Sequence, residues 1–248
     1  MGFIKNLFTP GKLSTPVSLS GIKTDMHSHL VPGIDDGSDS LETSVELISG
    51  MVELGYQKII TTPHIQGEFY KNTPHTILSG LERVKRELKK QNITVEMEAA
   101  AEYLIDDQFE SKYKEGELLT FGDKYLLVEM SYFNEHPRLK EFLFDLQIEG
   151  YRIILAHPER YSYWFRNFKK YEELKDRGIF FQINITSLAG YYSSDVKKMA
   201  EKFVDEQMVD FAGTDMHNIN YLEALRRSCS EKYVKKLIDS GKLLNRTL

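Results

Sequence analysis

A chain of 248 residues with 41% hydrophobic and 28% charged side chains carries enough apolar surface for one large core, which excludes a disordered protein and suits a single α/β domain. Its net charge of -5 at pH 7 argues against a broad basic face for nucleic acid, and its one cysteine, Cys229, excludes an intrachain disulfide and a thiolate-rich zinc site. No run approaches the roughly 20 apolar residues of a membrane span, so the expected setting is a reducing cytoplasm.

Residues 1–20 read as an N-terminal leader. Phe3, Ile4, Leu7 and Phe8 are broken by Pro10 and Gly11, so the stretch is either a semi-ordered tail or a short amphipathic helix packed on the domain or on another subunit. The second case leaves a homo-oligomer open. From residue 21 to residue 248 the chain reads as one domain in which apolar runs alternate with helical patterns. Seven strands are predicted: Ile22 to His27, Lys58 to Thr62, Val95 to Ala101, Tyr125 to Met130, Arg152 to Ala156, Ile179 to Asn184 and Val209 to Gly213.

Between them, Leu41, Val45, Ile48 and Val52 recur at one-face helical spacing, as do Ile77, Leu81, Val84 and Leu88, and then Leu139, Phe142, Leu143 and Leu146. Asp39 with Glu42 resembles a capping box opening the first helix, and Gly55 and Gly150 fall where a helix-to-strand loop needs a left-handed residue. Seven strands alternating with helices predict a closed or nearly closed α/β barrel. The alternative, an open doubly wound sheet, finds no Gly-x-Gly-x-x-Gly turn or phosphate loop in its support.

In parallel α/β folds chemistry gathers at the C-terminal ends of the strands, and the unusual polar residues fall there. His27 and His29 close the first predicted strand, His64 the second, Glu102 the third, Glu129 the fourth, His157 the fifth, and Asp215 with His217 the seventh. The two-residue spacing of His27 and His29 sends both imidazoles from one face, and Asp215 with His217 repeats it. Closure of a barrel would bring the two pairs together, and Asp36 on the loop after the first strand can lean over the same mouth. These nine residues are the candidate metal ligands. Glu129 fits either ligation or the orientation of a histidine ligand, and Asp25 is read only as a supporting residue behind His27.

Nitrogen and carboxylate donors without thiolate suit manganese, iron or zinc. Three divalent ions against four carboxylates leave a positive centre that attracts a phosphate dianion. Arg160, three residues after His157, is the candidate catalytic residue, its planar fork suited to phosphoryl oxygens. Tyr161, Tyr163, Trp164, Phe165 and Tyr103 fit either the wall of an aromatic pocket or core packing, and His75 and His136 read as surface residues. A cysteine-dependent phosphatase is excluded, since the position six after Cys229 is Lys235 where that chemistry needs arginine.

The motifs Asp25-Met26-His27-Ser28-His29, Asp35-Asp36-Gly37, Thr62-Pro63-His64, Ala101-Glu102-Tyr103, Ala156-His157-Pro158-Glu159-Arg160 and Thr214-Asp215-Met216-His217-Asn218 together resemble a bacterial tyrosine phosphatase of the PHP (polymerase and histidinol phosphatase) superfamily, in its capsule and exopolysaccharide branch. The resemblance runs in order from Lys23 to Asn218. It implies a distorted TIM-like (β/α)7 barrel holding three divalent ions, manganese foremost, and dephosphorylation of a tyrosine autokinase of polysaccharide synthesis by a metal-activated hydroxide.

The resemblance further implies that His27, His29, Glu102 and Asp215 hold one ion, Glu102, Glu129 and His157 a second, and Asp36, His64 and His217 the third. It matches Arg160 to a phosphate-binding arginine. A second arginine, implied a few residues after Asn218, is missing from Ile219-Asn220-Tyr221-Leu222, which leaves Arg226, Arg138 or Arg166 as its replacement. Two other readings of the same residues are a small-molecule phosphatase of histidinol phosphatase type and a non-catalytic binding protein of polysaccharide assembly.

Overall fold

The computed structural model describes residues 12–114 and 118–248; Met1 to Gly11 of the leader, with its apolar Phe3, Ile4, Leu7 and Phe8, lie outside the described residues. The strands are β1 (Thr24–Asp25), β2 (Lys58–Thr61), β3 (His64–Ile65), β4 (Glu96–Ala99), β5 (Glu102–Leu104), β6 (Tyr125–Glu129), β7 (Arg152–Ala156), β8 (Phe180–Asn184) and β9 (Phe211–Gly213). All pairings between them are parallel, in one sheet of order β1-β2-β4 and a second of order β3-β5-β6-β7-β8-β9.

The seven predicted strands therefore become nine. The second and third appear as β2 and β4, and each is followed by a short unpredicted strand, β3 and β5, where the chain passes from one sheet to the other. At the first crossing Pro63 has no N–H for a ladder, and the Thr62 amide turns aside to the Ser28 carbonyl at 2.6 Å. At the second, the Ala100 amide still bonds Thr61, while that of Glu102 bonds Pro63 at 3.1 Å and opens β5. The first strand is also shorter than its apolar run. Beyond Asp25 the backbone bonds irregularly to the segment after β9: the Asp215 amide donates to the His27 carbonyl and the His29 amide to the Met216 carbonyl, both at 2.8 Å.

Strand residues are buried on both faces, as expected for parallel sheets under helical cover. On β6 and β7, Leu126, Val128, Ile153 and Leu155 join the main core with the helices, whereas Leu127, Ile154 and Ala156 meet Met26, Ile60, Ala100 and Phe211 in a separate inner cluster. Period-two alternation continues that inner face from Leu127 to Glu129, and from Phe180 to Gln182 and Asn184 on β8. The inner face is thus apolar at the N-terminal ends of the strands and polar at their C-terminal ends.

The helices are α1 (Leu41–Glu53), α2 (Pro74–Lys90), α3 (Phe109–Lys114), α4 (Leu139–Ile148), α5 (Lys169–Asp176), α6 (Ser194–Asp205), α7 (Ile219–Ser228) and α8 (Lys232–Asp239). The cap of α1 is Ser40, whose hydroxyl accepts the Thr43 amide at 3.1 Å, one residue later than the predicted Asp39. Ser40 is the extended residue at the entry, and Asp39 instead accepts the Thr43 hydroxyl at 2.8 Å. Gly55 and Gly150 take φ of 115° and 84°, the left-handed geometry their positions predicted.

Opposite the polar end, the fully buried Asn245 side chain fastens the first strand to the last. Its amide donates to Thr24 O at 2.9 Å and Ala212 O at 2.8 Å, and its oxygen accepts the Ala212 amide at 2.9 Å. Among the described residues, no helix is long and apolar enough to cross a membrane.

Candidate metal centre

All nine candidate ligands gather at the polar end. His27 and His29 lie on the irregular stretch after β1, Glu129 closes β6, His157 follows β7, and Asp215 with His217 follows β9. His64 and Glu102 open β3 and β5 rather than closing the strands before them, a consequence of the two sheet crossings. His157 and Asp215 hold φ of 35° and 51°, a region that costs a non-glycine residue about 1–3 kcal/mol and that is retained where it aims a functional side chain. Gly213 leaves room beside them: a Cβ there would sit 2.7 Å from the His27 Cβ and 2.6 Å from Gln182 Nε2.

Hydrogen bonds set the ring orientation of three histidines. His27 Nδ1 meets Gln182 Oε1 at 2.8 Å, His29 Nδ1 meets Asp35 Oδ2 at 2.9 Å, and His217 Nδ1 meets the Asp215 carbonyl at 2.8 Å. Each partner is an acceptor, so each Nδ1 carries the proton and each Nε2 presents a lone pair to the centre. There the Nε2 atoms of His27 and His29 lie 3.4 Å apart, and Glu102 Oε2 lies 3.1 Å from the first and 3.4 Å from the second. Glu102 Oε2 has no hydrogen-bond partner although it is fully buried.

Three lone-pair atoms facing one another in a buried space require a positive charge among them. Ligands about 2.0–2.2 Å from one cation stand roughly 3 Å apart, so the spacing fits a metal ion. Among the described residues, four groups place donor atoms within 4.8 Å of one another: His29, Asp36, His64 and His217; His27, His29 and Glu102; His27, His157 and Asp215; and His64, Glu102 and Glu129. Glu129 also accepts from Gln66 at 2.8 Å. Asp25 stands behind the centre: one carboxylate oxygen accepts the Thr214 amide at 2.8 Å, and burial pushes its carboxyl up to about 7.

Without metal, protons must supply the missing charge. Burial opposes protonation of His27 and His64, but Glu102 and Asp215 beside the first, and Glu129 and Glu102 beside the second, outweigh it and push each imidazole from 6.5 up to about 10. Burial would raise Asp215 and Glu102, yet neighbouring histidines hold both below the usual carboxylate range. The raised imidazoles stabilise the folded chain fully below pH 6.5 and lose that contribution as pH climbs toward about 10; the depressed carboxylates contribute above their ordinary range and lose it in acid. Chelator-treated protein should therefore melt at progressively lower temperature from pH 7 to pH 9.5, while metal-loaded protein should not. Thermal scans of both forms across that range test this, and parallel curves would contradict it.

Arg160 ends the 3-10 turn Pro158–Arg160 and reaches the centre, its Nη1 3.1 Å from Asp215 Oδ2. The same carboxylate oxygen accepts from Asn184 Nδ2 at 2.7 Å and the Tyr192 hydroxyl at 3.2 Å. Seven of the candidate ligands and Arg160 line a cleft of about 310 Å³ whose aromatic wall is Phe69, Tyr70, Tyr132 and Tyr221, while His27 and His29 lie fully buried beneath it. Of the predicted aromatic group, Tyr103, Tyr161 and Trp164 are buried, Tyr163 and Phe165 pack against the main core, and none lines the cleft. Tyr161 instead ties Met130 N to Ala156 O through its hydroxyl.

None of the three replacement arginines reaches the cleft. Arg226 pairs with Glu53 at 2.8 Å, Arg138 pairs with Glu110 and Glu141, and Arg166 is exposed outside the lining. Tyr221 stands there, its ring 5.1 Å from that of His217. His75 is exposed as expected; His136 is partly covered and meets Asp107 at 3.2 Å. Sequence reasoning missed Asp35, Gln182, Asn184, Tyr132 and Tyr192. A larger groove of about 620 Å³ between α6 and α8, edged by Lys232, Lys235, Lys236 and Lys242, holds none of the candidate ligands.

Residues 23–243 match the family described as Capsular polysaccharide synthesis, CpsB/CapC. The chain is 32% identical over 197 residues to the tyrosine-protein phosphatase YwqE of Bacillus subtilis (strain 168), covering 79% of this chain and 77% of the relative. It is similar to a crystal structure from work on YwqE of Bacillus subtilis and CpsB of Streptococcus pneumoniae, described as metal-dependent tyrosine phosphatases, with TM-score 0.76, 29% identity and coverage of 90% and 94%. A histidinol phosphate phosphatase from Lactococcus lactis subsp. lactis shares the fold at TM-score 0.50 and 14% identity, covering 89% of this chain and 93% of its own. With the family match spanning nearly the whole described domain, the chain belongs to the CpsB/CapC family of capsular polysaccharide synthesis.

Proposed function

We infer that this protein is a metal-dependent tyrosine-protein phosphatase of the capsule-synthesis type. The observation that carries the reading is the set of histidine Nε2 lone pairs turned onto one buried carboxylate, Glu102, beside an arginine that opens to the cleft. The relatives named as tyrosine-protein phosphatases support the substrate class.

His27, His29, Asp36, His64, Glu102, Glu129, His157, Asp215 and His217 are assigned as ligands of three divalent ions, manganese foremost, with iron or zinc suited to the same donors. Bound there, the cations supply Lewis-acid polarisation of a phosphoryl oxygen and lower the pKa of water toward neutrality. Gln182, Asp35 and the Asp215 carbonyl keep the three imidazoles in the ligating tautomer. Arg160 directs its free N–H groups to the non-bridging oxygens and holds them as charge passes to the leaving group. A phenol leaves with pKa ~10, so a tyrosine ester demands less proton donation than an alkyl ester. A buried Cys229 thiol bonded to the Leu225 carbonyl takes no part.

The proposed frame is a distorted seven-stranded barrel in one domain from residue 21 to residue 248. Counting β2 with β3 and β4 with β5 gives seven strand positions, and the parallel bridge between Ser28 and Met216 supports closure of the first on the last. A tyrosine autokinase in the cytoplasm is the proposed partner. Manganese-loaded protein should turn over a phosphotyrosine peptide at least ~100-fold faster, in kcat/KM, than histidinol phosphate, the scale of discrimination a shaped pocket supplies. A reversed preference would make the protein a small-molecule phosphatase.

A further inference from the structure

The Arg160 guanidinium packs over two phenol rings. Its central carbon is 4.1 Å from the ring centroid of Tyr192 and 4.4 Å from that of Tyr132. The three residues come from three successive connections at the same end of the sheet: Tyr132 follows β6, Arg160 follows β7 and Tyr192 follows β8. Tyr192 also donates its hydroxyl to Asp215 Oδ2, the oxygen that accepts from Arg160, and accepts from Asn184 Nδ2 at 2.9 Å. The Tyr132 hydroxyl lies 3.4 Å from His157 Nε2.

A guanidinium has donors only in its plane and none on its faces, so ring faces packed this close to its central carbon restrict its tilt without competing for its N–H groups. Asp215 takes one Nη1 donor, and the remaining edge is left for the cleft. Free, a long side chain of this kind carries rotamer entropy that anion capture would otherwise have to overcome.

We propose that Tyr132 and Tyr192 are positioning residues that hold the Arg160 fork in its anion-binding orientation through ring stacking. The proposal rests on the reading of Arg160 as the phosphate-binding residue. It adds that the rings act through Arg160 and do so by their faces, not by their hydroxyl groups.

The test is a set of double-mutant cycles on the metal-loaded enzyme, reading the inhibition constant of inorganic phosphate and KM for a phosphotyrosine peptide, with metal content measured on each variant. Tyr132→Leu and Tyr192→Leu should each raise the phosphate constant about tenfold, the scale of a partly desolvated cation–π contact, with metal content unchanged. Tyr132→Phe and Tyr192→Phe keep the ring and should change it less than about twofold. In an Arg160→Ala background the Leu substitutions should add less than about twofold, because their target is gone. Additive losses in that background would overturn the proposal, as would Phe variants as impaired as Leu variants. If Arg160→Ala alone leaves the phosphate constant unchanged, the underlying reading of Arg160 fails and the proposal with it. Should Tyr192→Leu lose metal through Asp215, Tyr132→Leu, which leaves the Asp215 hydrogen bonds in place, decides alone.

Discussion

Glu102→Gln should lower kcat/KM for a phosphotyrosine peptide by at least ~10³-fold, about 4 kcal/mol, and reduce the number of metal ions retained. The reason is the concentration of donors on one side chain. Oε2 of Glu102 lies 3.1 Å from His27 Nε2, 3.4 Å from His29 Nε2 and 3.2 Å from His64 Nδ1, and Oε1 lies 3.1 Å from His157 Nε2. No other carboxylate of the cleft stands this close to four histidines. The amide fills the same volume but loses the charge and places an N–H donor where a lone pair is needed. Glu129→Gln, whose nearest imidazole is His64 at 3.3 Å, should cost less, roughly 10- to 100-fold. Elemental analysis and kinetics on both variants check the ranking; a Glu102→Gln variant with full metal and wild-type turnover would remove Glu102 from the ligand set.

Arg160→Ala should retain its metal and lose about 10²- to 10³-fold in kcat/KM, the effect of removing one preorganised donor from a developing anion. Retention follows from Asp215, which keeps its hydrogen bonds from Asn184 at 2.7 Å and Tyr192 at 3.2 Å after Arg160 is cut away. Arg160→Lys should recover less than about tenfold, since an ammonium restores the charge without the fork. Metal loss in the Ala variant would show that Arg160 supports Asp215 and does not serve the substrate.

The strands from Tyr125 onward were legible because each is a short apolar run buried on both faces, with glycine or polar residues at its limits. The short strands β3 and β5 were not: Pro63 marks the end of the second run without showing that pairing resumes at His64, and Ala99, Ala100 and Ala101 preserve apolar continuity across a change of sheet that only backbone hydrogen bonding reveals. Eight of the nine candidate ligands stood out as titratable residues at the ends of apolar runs, and Asp36 as a loop residue beside them. Gln182 and Asn184 share the period-two face that carries Phe180, so their direction was readable, but a neutral amide gives no hint of what it will orient. Asp35 adjoins Asp36 in a loop, where spacing does not say which carboxylate leans inward and which turns back to His29. Tyr132 and Tyr192 lie in connecting segments, and the rings that did attract attention, Tyr161 and Trp164, proved to be core.

The fastening of the first strand to the last also bears on the order in which the polar end is assembled. Thr214 and Asp25, joined by one 2.8 Å hydrogen bond, are 189 positions apart, and Asn245 must reach back to Thr24 before that seam is closed. A growing chain therefore carries His27, His29, His64 and Glu102 long before Asp215 and His217 exist to complete the cage. Seams of such high sequence separation form late, since their loop entropy is repaid only once the intervening strands have docked. The polar end is thus assembled only with the final closure of the fold.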